Sequence, residues 1–147
     1  MLRRKLVAIL APLAVLACTE SAAAATTLIV TKNAACGCCD GWVEHMQKAG
    51  LKVEVKIVDD VNPTATRLGV PDELRSCHTT EAENYVIEGH VPAEDVKRLL
   101  AAKPDAIGLA LPGMVAGSPG MEQGGAAKRY DVLLFGKSGK TKVFASH

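Results

Sequence analysis

Three of the chain's five cysteines fall within four residues, in Ala35-Cys36-Gly37-Cys38-Cys39-Asp40-Gly41-Trp42. Thr27-Leu28-Ile29-Val30 precedes them, an apolar run with strand character. Trp42-Val43-Glu44-His45-Met46-Gln47-Lys48-Ala49 follows, with Trp42, Val43, Met46 and Ala49 on one helical face and Gly50 as the stop signal. The thiols therefore occupy a strand-to-helix turn. Unpaired N–H groups and the positive end of the helix dipole favour thiolate at such a place. A thiolate is both a nucleophile and a soft-metal ligand, so thiol–disulfide exchange and metal binding are the two chemistries in view.

The first twenty-five of the 147 residues are set aside as a leader. Met1-Leu2-Arg3-Arg4-Lys5 is a basic n-region. Leu6 to Ala17 is an apolar h-region, the length of a secretory signal and too short to span a bilayer well. Ser21-Ala22-Ala23-Ala24-Ala25 offers cleavage after Ala24 or Ala25. Residues 1–25 are thus expected to be a signal peptide and 26–147 a single exported, periplasmic domain with no membrane span. Val15-Leu16-Ala17-Cys18 has some likeness to a lipoprotein signal, so a form anchored through Cys18 is the second expectation. Export implies an oxidising compartment, where a thiol needs a reason to stay free. A formal net charge of +1 and an aromatic content of 3% argue against nucleic acid as a partner.

Along the mature chain, Thr26–Lys32 is expected as a strand and Asp40–Ala49 as a helix. Lys52 to Asp59 alternates polar and apolar residues, the mark of a half-buried strand. Asn62-Pro63 opens a short helix that stops near Gly69. Residues 71–80 have the character of turn and loop. Asn84 to Val91 forms a third strand, and Pro92 opens a helix that Pro104 ends. Ala106–Gly125 is rich in Gly and Pro yet too apolar for disorder, which predicts an ordered, functional loop. Tyr130–Phe135 and Lys140–Ala145 flank Gly136-Lys137-Ser138-Gly139 as a C-terminal β-hairpin. The alternation of strands and helices predicts an α/β core. A cysteine turn after its first strand is where thioredoxin-like folds carry their active thiols.

Cys36 and Cys39 have the C-x-x-C redox spacing, whereas Cys36 and Cys38 have the C-x-C spacing of metal–thiolate sites. Neighbouring Cys38 and Cys39 bond each other only with strain. A dithiol oxidoreductase has no use for the third thiol, but a Cu(I) or Zn site does. The remaining alternative is one structural disulfide and a spare thiol. Cys77-His78 supplies the fourth cysteine of the mature chain, either as a disulfide partner or as a ligand. His78 is then a ligand, a proton shuttle or a solvated side chain. Met114 and Met121 flank Gly117-Ser118-Pro119-Gly120, and their thioethers suit Cu(I). Met46 belongs to the core, His45, one turn beyond Cys38–Asp40, either approaches the site or takes the favoured surface role, and His90 and His147 carry little signal. Gly136-Lys137-Ser138 is not a phosphate loop, because Asp131 stands where glycine is required and a strand follows.

Four segments together resemble CopG-type copper-resistance proteins. They are Cys36 to Trp42, Ser76-Cys77-His78-Thr79, Tyr85 to Pro92 with Gly89-His90-Val91-Pro92, and Pro112-Gly113-Met114 with Gly117-Ser118-Pro119-Gly120-Met121-Glu122. The resemblance covers essentially the whole mature chain. It implies a thioredoxin-like fold, a cuprous ion held by thiolates, and service beside copper-efflux and copper-oxidase systems. The ligand roles carry over to Cys36, Cys38, Cys39 and Cys77, with Met114, Met121 or His78 as auxiliary donors. Four thiolates exceed the need of one Cu(I), which suggests a multinuclear cluster. Val115-Ala116 stands where the family often has Pro-Val. The alternative reading is a thiol–disulfide oxidoreductase working through Cys36 and Cys39.

Overall fold

The computed structural model describes residues 26–122 and 126–147. The expected leader, with Cys18, lies outside the described residues. In chain order the elements are β1 (Thr27–Lys32), α1 (Gly37–Lys48), β2 (Lys52–Ile57), α2 (Asn62–Arg67), a 3-10 turn (Asp72–Leu74), β3 (His78–Ala82), β4 (Tyr85–Gly89), α3 (Ala93–Ala102), β5 (Gly108–Leu111), β6 (Asp131–Phe135) and β7 (Thr141–Ser146). All seven strands join one mixed sheet in the order β2-β1-β3-β4-β5-β6-β7. The β1/β2 and β4/β5 pairs are parallel and the others antiparallel.

Successive strand residues point to opposite faces, and here each face has its own core. Leu28, Val30, Ile87, Leu109, Leu111, Val132 and Leu134 pack with Trp42, Val43 and Met46 of α1 and Val96 and Leu99 of α3. The alternate positions Val86, Ala110 and Phe135 pack with Ala65 of α2, Val70 and Leu74. Thus α1 and α3 cover one face and α2 the other. Gly108 permits the close strand approach at the centre, because a Cβ there would collide with the backbone of Val86.

Several expectations are corrected. Helix α1 begins at Gly37, three residues before the expected start at Asp40, so Cys38 and Cys39 lie within it and Cys36 is its N-cap. The expected loop over 71–80 contains the start of β3, a central strand whose buried positions are His78, Thr79, Thr80 and Ala82. Its polar inward residues hide the apolar alternation that marks a strand. Likewise the loop expected from Ala106 contains β5, a four-residue strand buried along its whole length. Among the described residues, no helix is long and apolar enough to cross a membrane.

Candidate metal centre

The site forms where the first turn of α1 meets the entrance to β3. Cys36 and Cys39 are joined by a disulfide, while Cys38 and Cys77 are free thiols among the described residues. Cys38 Sγ lies 3.5 Å from Cys36 Sγ and 4.0 Å from Cys77 Sγ. All four sulfurs lie within 4.8 Å of one another. The β1–β3 register produces this meeting by pairing Lys32 with His78 at the end next to the cysteine turn. Cys77 thereby arrives opposite the cysteines that follow β1. Lys32 is 3% exposed, and its ammonium lies 2.8 Å from Asp40 Oδ1. A buried cation needs such a partner, and Asp40 also suits the positive end of the helix it occupies.

His90 is the residue that sequence patterns missed. It is buried, and its Nε2 lies 3.0 Å from Cys77 Sγ. Its Nδ1 lies 2.7 Å from the Pro119 carbonyl, which can only accept, so Nδ1 carries the proton and Nε2 offers its lone pair toward the thiol. Burial holds the imidazolium of His90 below its ordinary range, against the opposing pull of the Pro119 carbonyl. The one signal in the sequence was the Gly89-His90-Val91-Pro92 turn itself. The contact partners of His90 are 13 and 29 positions away, beyond any local pattern.

His78 is also fully buried, with its ring 4.6 Å from Trp42 and 5.1 Å from His90. Its Nδ1 is 3.6 Å from Cys77 Sγ, and its Nε2 has no hydrogen-bond partner among the described residues. Burial, then the neighbouring His90 and Lys32, push its pKa down to about 3, so it is a neutral ring. Cys77, His78 and His90 form a second group able to hold a metal, sharing Cys77 with the four-sulfur group. Burial and the adjacent Cys38 raise the Cys77 thiol to about 12. A cation in the site reverses that balance, because it compensates the thiolate charge that burial penalises.

The Gly/Pro-rich loop is seated on α1. Gly120 (φ +83°) packs against the first turns, where a Cβ would lie 2.6 Å from the Trp42 nitrogen and closer still to the Cys38 carbonyl oxygen. The loop braces itself through Gly117 N–H to Met121 O and Met121 N–H to Ser118 O, both 2.8 Å. Met121 lines an open groove of about 710 Å³ with Cys38, Asp40, His45, Gly120 and Glu122. Met114 is 59% exposed, on the turn that receives the Ser76 hydroxyl at the Gly113 carbonyl. The surface role expected of His45 takes the form of a 2.5 Å pair with Glu122 across the groove.

Behind Cys77, the Glu88 carboxylate accepts from Ser76 N–H and Thr79 Oγ1–H, each at 2.7 Å. Burial outweighs these donors and pushes its pKa up to about 7.

A sheet with a helix-capping thiol cluster gathered from two distant segments defines a class, that of small α/β proteins built around a sulfur-rich site able to bind a metal. Comparison with known proteins makes the class specific. Residues 74–121 match the family model described as "Protein of unknown function, DUF411". A solved structure titled "Copper resistance protein copG- Form 2" is 39% identical, with a TM-score of 0.78, covering 83% of this chain and 98% of that one. "Copper resistance protein copG- Form 1" is 40% identical, with a TM-score of 0.77, covering 82% and 96%. No curated protein matches the chain. The chain belongs to the CopG copper-resistance family.

Proposed function

We propose that this is a periplasmic copper-resistance protein that holds Cu(I) through the thiolates of Cys36, Cys38, Cys39 and Cys77. The carrying observation is the convergence of four sulfurs within 4.8 Å from two remote segments. Thiolates are soft donors and select Cu(I) over hard cations. Four thiolates concentrate negative charge, which favours a multinuclear cluster whose cuprous ions neutralise it. Met121, His78 and His90 are auxiliary donors at the rim and floor, and Met114 belongs to the same loop. Loading the full site requires reduction of the Cys36–Cys39 disulfide, since a disulfide sulfur is not a thiolate. The β2-β1-β3-β4 half, with α1 and α3 on one face and α2 on the other, supports a thioredoxin-like assignment. Sequestration, delivery to efflux or copper-oxidase partners, and copper redox cycling are the roles such a site serves.

Competitive titration of the anaerobic, fully reduced protein against a Cu(I) chelator tests the reading. Strong Cu(I) binding, with negligible Mg, Ca or Mn binding, is expected. Equal Cu(I) affinity in a Cys36/Cys38/Cys39 triple serine variant would refute it. The disulfide itself favours a second reading, a thiol–disulfide oxidoreductase using Cys36 and Cys39. That reading predicts disulfide reductase activity that survives Cys77→Ser.

A further inference from the structure

Among the described residues, the two cysteines outside the Cys36–Cys39 bond are neither dispersed nor equivalent. Their sulfurs are 4.0 Å apart, about van der Waals contact. Cys38 lines the open groove beside Gly120 and Met121. Cys77 lies behind it, with Ser76 Oγ at 3.9 Å and His90 Nε2 at 3.0 Å from its sulfur. We propose that Cys38 and Cys77 are a second redox pair, which a disulfide oxidant closes into a bond between α1 and the entrance to β3. The site then has three thiol states, with four, two or no free thiols.

The geometry favours this pairing over its competitor. Cys38 Sγ is also 3.5 Å from Cys36 Sγ, so it is close enough to attack the existing disulfide. That exchange would form Cys36–Cys38 and expel Cys39 as a thiolate. Cys39 is fully buried, so the expelled charge has no water to receive it, and the exchange runs back. For Cys77, Cys38 is the one unbonded sulfur among the described residues in reach, because Cys36 and Cys39 are bonded to each other, and an attack by Cys77 on Cys36 of that bond would again expel the buried Cys39. Closing the new bond needs the sulfurs to approach by about 2 Å, from 4.0 Å to the S–S bond length. The 710 Å³ groove lets a small disulfide reach Cys38 first.

With glutathione disulfide as oxidant, the Cys38 thiolate attacks one glutathione sulfur and releases glutathione thiolate. The Cys77 sulfur then attacks Cys38 Sγ as its proton leaves, which breaks the mixed disulfide and releases a second glutathione. The two cysteine protons leave on the two glutathiones. Overall, two protein thiols are oxidised by two electrons and one glutathione disulfide is reduced. If the copper reading above is right, each stage also removes two thiolate donors from the cargo.

The test uses metal-free full-length protein, so its failure is independent of any failure to bind copper. Fully reduced protein is equilibrated with glutathione buffers of rising disulfide content, acid-quenched, alkylated and mapped by peptide mass, which counts Cys18 separately. Wild type is expected to gain Cys36–Cys39 and then a Cys38–Cys77 cross-linked peptide, with no glutathione retained. Cys77→Ser is expected to stop with one glutathione on Cys38. Cys38→Ser is expected to leave Cys77 open to alkylation. The proposal is overturned if wild-type Cys38 and Cys77 both remain alkylatable in the most oxidising buffer. It is equally overturned if wild type retains glutathione on Cys38, or if another pairing forms.

Discussion

Replacing Gly120 by alanine isolates the seating of the Gly/Pro loop on α1. Two costs add. The residue has φ +83°, a left-handed conformation that costs a non-glycine residue roughly 1–2 kcal/mol. The new Cβ would also lie 2.6 Å from the Trp42 nitrogen and closer to the Cys38 carbonyl, both rigid helix backbone. Relieving such overpacking costs roughly 1–3 kcal/mol more. The sum is about 2–5 kcal/mol, which lowers the melting temperature of a domain this size by roughly 8–20 °C. Gly37→Ala is the control. Its Cβ meets nothing within 4 Å, and alanine is the better helix former, so stability should hold or rise by up to about 1 kcal/mol. Both variants are compared with wild type by urea and thermal unfolding, followed by circular dichroism on metal-free protein. The loop must lift to admit the methyl group, which draws the Pro119 carbonyl away from His90. Cu(I) affinity is therefore expected to fall in Gly120→Ala and to hold in Gly37→Ala. If Gly120→Ala melts with wild type, the loop is not held on the helix as described and the reasoning fails.

Glu88 makes stability depend on pH. Its folded pKa of about 7 exceeds the ordinary 4.5, so the folded protein binds the extra proton between those values. The associated stability is fully present below pH 4.5 and is lost as pH rises through about 7, up to about 3 kcal/mol. Urea midpoints across that range should fall in wild type and stay flatter in Glu88→Gln, whose amide can still serve Ser76 and Thr79. Cys77→Ser should bind fewer copper ions under strict reduction, with Cu(I) affinity down roughly ten- to a hundred-fold; unchanged stoichiometry and affinity would favour the oxidoreductase reading. Intact mass of the exported protein should begin at Ala25 or Thr26, whereas an acylated chain beginning at Cys18 would make it a lipoprotein.

What the sequence reveals follows from how local each signal is. Helix α1 and the cysteine turn are legible because the apolar period of Trp42, Val43 and Met46 and the thiol spacing lie within one short stretch. The pairing strands β6 and β7 are legible through their apolar runs and the Gly136 to Gly139 turn. Strand β3 is not, because buried His78, Thr79 and Thr80 stand where a strand signal needs apolar residues, and only tertiary placement reveals their burial; Thr79 meets Glu88, while Thr80 Oγ1 and His78 Nε2 have no hydrogen-bond partner among the described residues. The convergence of Cys77 with Cys38 follows from strand pairing, which the segment alone does not encode. His90 was hidden for the same reason. Its importance comes from a carbonyl and a thiol delivered by other segments.

The junction of α1 with the β3 entrance also governs how long the molecule survives. Cys38 and Cys77 are 39 positions apart, so a bond between them closes a large loop in the unfolded chain. The chain-entropy model assigns such a closure about 4 kcal/mol. That is a large fraction of the roughly 5–15 kcal/mol that holds a domain folded. Any tie across the junction, whether sulfur to sulfur or through a shared ion, should therefore suppress the open states that proteases cut. The reduced, empty chain is then the form most quickly degraded, and turnover itself reports the chemical state of the site.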